Sequence, residues 1–114
     1  MEAFNVPYCG IDLNQAIGNL SFQKTGILTI NQSNPSEQYT LTHDICTFSF
    51  YMLIYNAYLW NISITARLNE SFTYTISLEK VQYGTLTKSG PSVSFTWLTS
   101  SKTIDCIIYE FDFA

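Results

Sequence analysis

Apolar and polar residues alternate most regularly in the middle of the chain. Between Tyr58 and Leu68 one set of alternate positions is apolar, and the intervening positions are mostly polar. A period of two predicts a β-strand with one buried face. The pattern restarts after Asn69-Glu70 and runs from Phe72 to Leu78. We therefore predict that these two strands form a hairpin, closed by a tight turn at Asn69-Glu70.

Further segments have the same strand character and are bounded by turn-forming residues: Leu20–Gln23, Gly26–Asn31, Gln38–Thr42, Ile45–Tyr55, Ser92–Leu98 and Thr103–Phe113. The composition agrees, since Ser and Thr together account for 25 of 114 residues and aromatic residues for 16%. We predict an all-β protein, a two-sheet antiparallel sandwich of about eight strands with a jelly-roll or immunoglobulin-like topology. The sandwich is expected to be a single domain over residues 15–114, preceded by an extended N-terminal arm over residues 1–14.

Two of these strands, Ile45–Tyr55 and Thr103–Phe113, are apolar on both faces. In Thr103–Phe113, the apolar residues occupy one set of alternate positions at Ile104 and Cys106 and the other set at Ile107 and Tyr109. This change predicts a β-bulge near Cys106-Ile107. One interpretation places such a strand at a sandwich edge with both faces covered. The other leaves an apolar stripe exposed on the monomer, to be covered by a neighbouring subunit.

The charge of the chain excludes one class of partner. Nine acidic and five basic residues give a net charge of −4 and a pI near 4.6. This is the wrong sign for neutralising a phosphate backbone, so nucleic-acid binding is not expected. No apolar run approaches the roughly 20 residues that cross a bilayer, so membrane insertion is not expected either.

Candidate catalytic chemistry is sparse. His43, the single histidine, is followed by Asp44, and neighbours on an extended segment point to opposite faces. Glu110 and Asp112 share one strand face and could act as paired carboxylates or hold a divalent cation, although solvated acidic side chains near a terminus are much commoner. We predict no catalytic residue, metal site or cofactor, and therefore no enzyme.

The three cysteines are Cys9, Cys46 and Cys106. Because their number is odd, at least one stays free or pairs with another chain under oxidising conditions. Cys46 and Cys106 occupy inward positions, where they are either buried thiols or partners of each other. Cys9 lies in the arm.

The arm itself alternates, with Phe4, Val6 and Tyr8 apolar, and Pro7 confines such a strand to a sheet edge. This pattern suits donation of the arm to another subunit by β-augmentation, whereas a frayed terminus is the alternative. Donation predicts an intermolecular disulfide from Cys9 to Cys46 or Cys106. The predicted intersubunit residues are Phe4, Val6, Tyr8, Cys9, Cys46 and Cys106.

A cysteine-bearing arm precedes the predicted sandwich, and the segment from Gly90 to Thr96 leads to a last strand that carries Cys106. In these features the chain resembles the subunits of Bacillus-type endospore appendages. The resemblance implies a jelly-roll fold whose N-terminal connector reaches into neighbouring subunits and forms disulfides with them. The chain departs from that family in having a single Cys9 where the connector usually carries adjacent cysteines, and in its acidic, aromatic C-terminal segment.

Together these features predict a structural, self-assembling subunit of an extracellular filament, spore-surface appendage or virion. Its expected partners are copies of itself in a homo-oligomer or filament, and its expected location is extracellular or on the surface of a spore, cell or virion. The alternative is a small carbohydrate-binding β-sandwich module with glycans as partners. Trp60 and Trp97 lie on the apolar parity of their strands and are predicted to be core residues rather than sugar platforms.

Overall fold

The computed structural model describes residues 20–54, 57–98 and 102–113, and these residues form eight antiparallel β-strands. The strands are β1 (Leu20–Ile30), β2 (Ser36–Thr40), β3 (Ile45–Ile54), β4 (Ala57–Arg67), β5 (Phe72–Leu78), β6 (Val81–Ser89), β7 (Ser92–Trp97) and β8 (Thr103–Phe113). The all-β prediction is confirmed.

The strands form two four-stranded sheets, which confirms the predicted sandwich. Sheet A has the order β1-β8-β3-β4 and sheet B the order β2-β7-β6-β5. Because β1 pairs with β8 and β2 pairs with β7, strands from the two ends of the described chain are neighbours in both sheets. An immunoglobulin-type order would instead pair the first strand with the second.

The core lies between the sheets. Sheet A contributes alternate residues of its strands, including Phe48, Phe50 and Ile108, and sheet B contributes residues such as Leu86 and Phe95, all of them fully buried. Trp60 and Trp97 are half-buried and pack against this core. The inward and outward alternation of each strand thus determines which side chains remain on the two outer faces.

The predicted strand number is correct, but the set of strands differs. Leu20–Gln23 and Gly26–Asn31 are one continuous strand, β1, because a bulge between Phe22 and Lys24 preserves its pairing with β8. The additional strand is β6, which the alternation pattern does not predict. It follows β5 through a two-residue turn at Glu79-Lys80, where both residues have positive φ (52° and 68°).

The predicted hairpin at Asn69-Glu70 is wrong. β4 belongs to sheet A and β5 to sheet B, so the chain crosses the sandwich between Arg67 and Phe72. Lys88 holds this crossing, since its buried Nζ donates to the carbonyl oxygens of Arg67 (2.6 Å), Leu68 (2.8 Å) and Glu70 (2.6 Å). Two consecutive alternating segments are equally compatible with a hairpin and with a crossing between sheets.

The predicted bulge at Cys106-Ile107 is also wrong. The pairing of β8 with β1 and β3 is continuous there, and Ile104, Cys106, Ile108 and Glu110 are all buried. The two strands that are apolar on both faces, β3 and β8, are central strands of sheet A, so the interpretation of a sandwich edge is wrong as well. The second apolar set of β8 lies on the outer face of sheet A.

Candidate interaction surface

The outer face of sheet A consists of the side chains that point away from sheet B. The strand registers arrange these side chains in rows that cross the sheet from β1 to β4. Three consecutive rows are Thr25, Tyr109, Thr47 and Thr65; Ile27, Ile107, Ser49 and Ser63; and Thr29, Asp105, Tyr51 and Asn61.

On β1 and β8 this face is largely apolar, and we call this part the apolar half. Phe22, Ile27 and Phe113 are 56%, 65% and 49% exposed, respectively. Phe22 also packs edge to face against Phe111, with ring centroids 5.7 Å apart. These large apolar side chains therefore lie in contact with solvent on adjacent strands.

A cleft of about 340 Å³ opens on the apolar half and is lined by Ile27, Ile107, Tyr51 and Asp105. Asp105, which lines the cleft, accepts a hydrogen bond from the Thr29 hydroxyl at 2.7 Å. Apolar and aromatic walls with a few fixed polar groups are typical of clefts that bind a ligand.

On β3 and β4 the same face carries small hydroxyl residues, and we call this part the hydroxyl half. Thr47 and Thr65 share a hydrogen bond between their hydroxyl oxygens at 3.2 Å, and Ser49 and Ser63 share another at 3.1 Å. Ser49, Ser63 and Thr65 are nevertheless buried. On this face, the large apolar side chains of Phe22, Ile27 and Phe113 are therefore more exposed than the hydroxyl side chains of Ser49, Ser63 and Thr65.

A second polar feature lies between the sheets at one end of the sandwich, around Glu110. This fully buried carboxylate accepts hydrogen bonds from the Tyr39 hydroxyl (2.7 Å) and the backbone N–H groups of Thr42 (2.8 Å) and His43 (3.2 Å). Lys24 Nζ lies 3.5 Å away. Burial alone would raise the pKa of Glu110, but these donors and the lysine charge outweigh it, so the pKa lies below its usual value.

Tyr39 reaches Glu110 because Gly26 on β1 has no side chain; a Cβ there would lie 2.6 Å from the tyrosine ring. Burial and the adjacent carboxylate raise the pKa of the Tyr39 hydroxyl, which keeps it a hydrogen-bond donor. The Glu110 cluster thus ties β2 and the segment after it to β8.

The other predicted carboxylate, Asp112, contacts His43. The His43 Nδ1 atom lies 3.1 Å from both carboxylate oxygens of Asp112, and the backbone N–H of Asp44 donates to one of them. Burial would raise the pKa of Asp112, but the Asp44 N–H and His43 lower it overall. These contacts tie a loop to a strand end. Within the described residues, no group of three or more histidine, cysteine or acidic side chains is placed to hold a metal ion.

Glu110 and Asp112 therefore do not form the paired-carboxylate site considered from the sequence, because Glu110 is enclosed by its own hydrogen-bond donors. Sequence reasoning also missed the Tyr39–Glu110 pair. A signal was available: Glu110 continues the buried parity of Ile104, Cys106 and Ile108, and an acidic residue at an inward position requires internal donors.

Cys46 and Cys106 are buried free thiols, as one of the two sequence interpretations proposed. Cys46 is level with Glu110 and Cys106 with Phe50, so the two cysteines are offset by four residues, about 13 Å along the strands. That offset excludes a disulfide between them in this fold. Burial raises the pKa of the Cys46 thiol to about 12 and that of Cys106 well above its usual value. The predicted arm residues Phe4, Val6, Tyr8 and Cys9 lie outside the described residues.

The outer face of sheet B differs from that of sheet A. Its registers place Ser, Thr and Gln side chains in rows, such as Gln38, Ser94, Thr87 and Thr73. Polar side chains of β2, β6 and β7, together with Tyr39 and Val93, line a shallow cleft of about 310 Å³. This face offers both donors and acceptors and carries no charge at these positions.

The described residues include no helix with the length and hydropathy needed to cross a membrane. Comparisons of the chain with protein-family models, with curated proteins and with solved structures found no match.

Proposed function

We propose that this protein is a structural subunit that assembles with copies of itself. The observation that carries the proposal is the apolar half of the outer face of sheet A, where Phe22, Ile27 and Phe113 are all about half exposed or more. Contiguous apolar patches are uncommon on proteins that act as monomers, and interfaces are enriched in aromatic side chains. A second copy that covers this half would remove these side chains from water.

The setting that we propose is an extracellular filament, a spore-surface appendage or a virion. The resemblance to Bacillus-type endospore appendage subunits supports this setting, as do the sandwich fold and the hydroxyl-rich outer face of sheet B. The location at the surface of a spore, cell or virion belongs to the same proposal.

The arm is proposed to link the subunits. Phe4, Val6 and Tyr8 would contribute apolar contacts to a neighbour, and Cys9 would contribute the covalent bond. A disulfide from Cys9 to Cys46 or Cys106 of another copy stays a prediction, and it requires the sandwich to open at that sulfur because both thiols are buried. Non-reducing electrophoresis of assembled wild type and Cys9→Ser tests the link, which is rejected if wild type runs as a monomer without reductant.

The assembly proposal is tested with a charge on the apolar half. Ile27→Lys is compared with Thr73→Lys, which adds the same charge at an exposed position on sheet B. Size-exclusion chromatography with light scattering and negative-stain microscopy measure assembly over a concentration series. We expect wild type and Thr73→Lys to assemble and Ile27→Lys to remain monomeric. A wild type that is monomeric at every concentration, or an Ile27→Lys variant that assembles normally, would contradict the proposal.

The second candidate function is binding of neutral glycans, and the observation that favours it is the cleft on sheet B lined by Gln38, Thr87 and Ser94. Hydroxyl and amide groups donate and accept hydrogen bonds, as sugar hydroxyls do, and the absence of charge at these positions does not favour anionic ligands. A glycan array probed with wild type and Ser94→Asp tests this candidate. Binding that is lost in the variant supports it, and the absence of binding by wild type rejects it.

A further inference from the structure

The apolar half of the outer face of sheet A differs between its two ends. Its outward side chains form rows across β1 and β8, and the rows in order are Leu20 with Phe113, Phe22 with Phe111, Thr25 with Tyr109, Ile27 with Ile107 and Thr29 with Asp105. The first two rows carry three phenylalanine rings. The last two rows contribute Ile27, Ile107 and Asp105 to the walls of the cleft of about 340 Å³. One end of the apolar half therefore presents aromatic rings and the other end presents a recess.

A surface with rings at one end and a recess at the other is complementary to an inverted copy of itself. The cleft is level with residue 106 of β8, and the Phe22 row is level with residue 111, so the midpoint lies between Ile108 and Tyr109. A two-fold axis through this midpoint, parallel to the sheet and perpendicular to its strands, places the rings of each copy over the cleft of the other. Because the midpoint lies between two rows, the rows of one copy fit between the rows of the other.

The opposite choice, in which the strands of the two copies run in the same direction, packs poorly. It places the rings of Phe22, Phe111 and Phe113 against the same three rings at one end, and one cleft against the other cleft at the far end. The two faces would then be held apart by the rings and would enclose a void at the clefts. Protein interfaces are packed about as densely as protein interiors, so the inverted arrangement is favoured.

The charge on this surface favours the same arrangement. Asp105 is the only charged residue at the outward positions of β1 and β8, whose residues are all described. With strands in the same direction, the two Asp105 carboxylates would face each other where water is excluded, and such like-charge contacts are costly. In the inverted arrangement Asp105 of one copy is level with residue 112 of the other, which separates the two carboxylates by about 24 Å along the strands.

We propose that the apolar half receives the apolar half of a second copy, inverted about this two-fold axis, so that Phe22 and Phe111 of each copy cover the cleft of the other. The inference deepens the proposed function and rests on it, since it names the contacts through which two copies assemble. An interface of this kind is isologous and closes with two copies. A filament therefore needs a second contact between such dimers, which is the role proposed for the arm.

The experiment is cross-linking of full-length protein through single cysteines placed on the outer faces, in a Cys9→Ser background. Cys46 and Cys106 are buried and stay silent toward thiol reagents in a folded variant, so only the introduced thiol reacts. A bismaleimide that spans about 10 Å matches the distance between two packed sheets. Light scattering of the same samples reports whether the protein assembles, independently of any cross-link.

Two threonines on the same face of β1 make opposite predictions. Thr25 lies beside the proposed axis, so Thr25→Cys should form a covalent dimer by itself. Thr29 lies about 24 Å along the strands from its counterpart, so Thr29→Cys should not. Inversion brings Leu20 of one copy within about one residue of the level of Thr29 of the other, so a mixture of Leu20→Cys and Thr29→Cys should yield a cross-linked heterodimer.

Thr73→Cys, at an exposed position on the outer face of sheet B, measures cross-linking by random collision. Thr25→Cys should give at least about tenfold more covalent dimer than this control, because two thiols held in one complex have a high effective concentration. A monofunctional maleimide verifies that each introduced thiol reacts. It also verifies folding, since Cys46 and Cys106 become reactive in a protein that has unfolded.

The outcomes separate the inference from the proposed function. Assembly without a Thr25→Cys cross-link would overturn the inference and leave the proposed function standing. Covalent dimers of both Thr25→Cys and Thr29→Cys alone would show that the strands run in the same direction, which also overturns it. A Cys9→Ser protein that is monomeric while wild type assembles would overturn it too, because assembly would then depend on the arm. A wild type that is monomeric at every concentration would reject both.

Discussion

Replacing Glu110 with Gln keeps the shape of the side chain and removes its charge, which makes it a direct test of the buried cluster. One amide oxygen can still accept from the backbone N–H groups of Thr42 and His43. The amide nitrogen then faces the Tyr39 hydroxyl, which has to accept a hydrogen bond instead of donating one. The variant therefore isolates the contribution of the carboxylate charge.

The expected loss follows from the number of donors. A hydrogen bond to a charged group contributes about 1 kcal/mol more than a neutral one, so three such bonds give about 3 kcal/mol. Desolvation of the carboxylate, which the neutral amide avoids, offsets part of this gain. Lys24 adds little because its side chain is 44% exposed. We expect Glu110→Gln to lower the free energy of unfolding by about 2 kcal/mol at pH 7.

The loss should depend on pH in a defined direction. The pKa of Glu110 in the folded protein lies below its ordinary value of 4.5, so the unfolded chain takes up the proton first as the pH falls. The stability contributed by the carboxylate is thus fully present above pH 4.5 and disappears as the pH falls through the folded pKa. Below that point the neutral acid resembles glutamine, and the difference between the two proteins should narrow.

Urea denaturation followed by tryptophan fluorescence, from pH 7 down to the lowest pH at which both proteins fold, measures this difference. Subtracting the variant from wild type removes the contributions of other titrating groups, such as Asp112. Glu79→Gln, at an exposed position in the β5–β6 turn, is the control and should change stability by less than about 0.5 kcal/mol at pH 7. A difference that stays constant across this range, or that widens in acid, would refute the reasoning.

Three further substitutions test other parts of the fold by denaturation at pH 7. Lys88→Met removes the ammonium group that binds three carbonyl oxygens at the sheet crossing and should lower the free energy of unfolding by about 2–4 kcal/mol. The control Thr87→Met, on the outer face of sheet B, should lower it by less than about 0.5 kcal/mol. Equal losses in the two variants would show that Lys88 does not stabilise the crossing. Gly26→Ala places a methyl group against the Tyr39 ring and should cost about 1–3 kcal/mol, with a much smaller loss in a Tyr39→Ala background. Phe95→Ala should cost about 3–5 kcal/mol because the ring is fully buried, and an unchanged midpoint would contradict its core position.

The fold class follows from the sequence because most strands have one apolar and one polar face. β6 is the exception: its inward positions carry Gly84, Leu86 and Lys88, so only one of three is apolar. The Ile30 and Ile104 side chains approach Gly84 and occupy the space of the missing side chain. Because side chains of the opposite sheet fill this space, the sequence of β6 does not show the alternation that would predict a strand.

The residues at the turns explain another difference between the predicted and the observed fold. The β5–β6 turn uses Glu79 and Lys80 at positive φ, where Asn and Gly would be the expected residues. At Asn69-Glu70 the sequence has the better turn residue, yet the chain changes sheets there. Local preference cannot predict the crossing, because Lys88, eighteen residues beyond Glu70, supplies the donors for the crossing carbonyls.

The candidate surface was only partly predictable. The sequence indicates that β8 is apolar on both faces, which places Ile107 and Phe111 on an outer face once β8 is known to be central. Predicting the Glu110 cluster would require knowing that Tyr39 and Thr42 lie beside Glu110, although they are about seventy residues away in the chain. Contacts at that separation depend on strand order, which alternation does not encode.

The position of β8 in the middle of sheet A has a consequence for synthesis of the protein. β1 and β3 are made early, but the strand that joins them is the last of the eight to leave the ribosome. Until residues 103–113 emerge, both neighbours present unpaired edges and sheet A consists only of separate parts. Sheet A is therefore completed only after β8 has been synthesised, and chains that stall or are truncated before β8 would expose unpaired strand edges that the folded sheet covers.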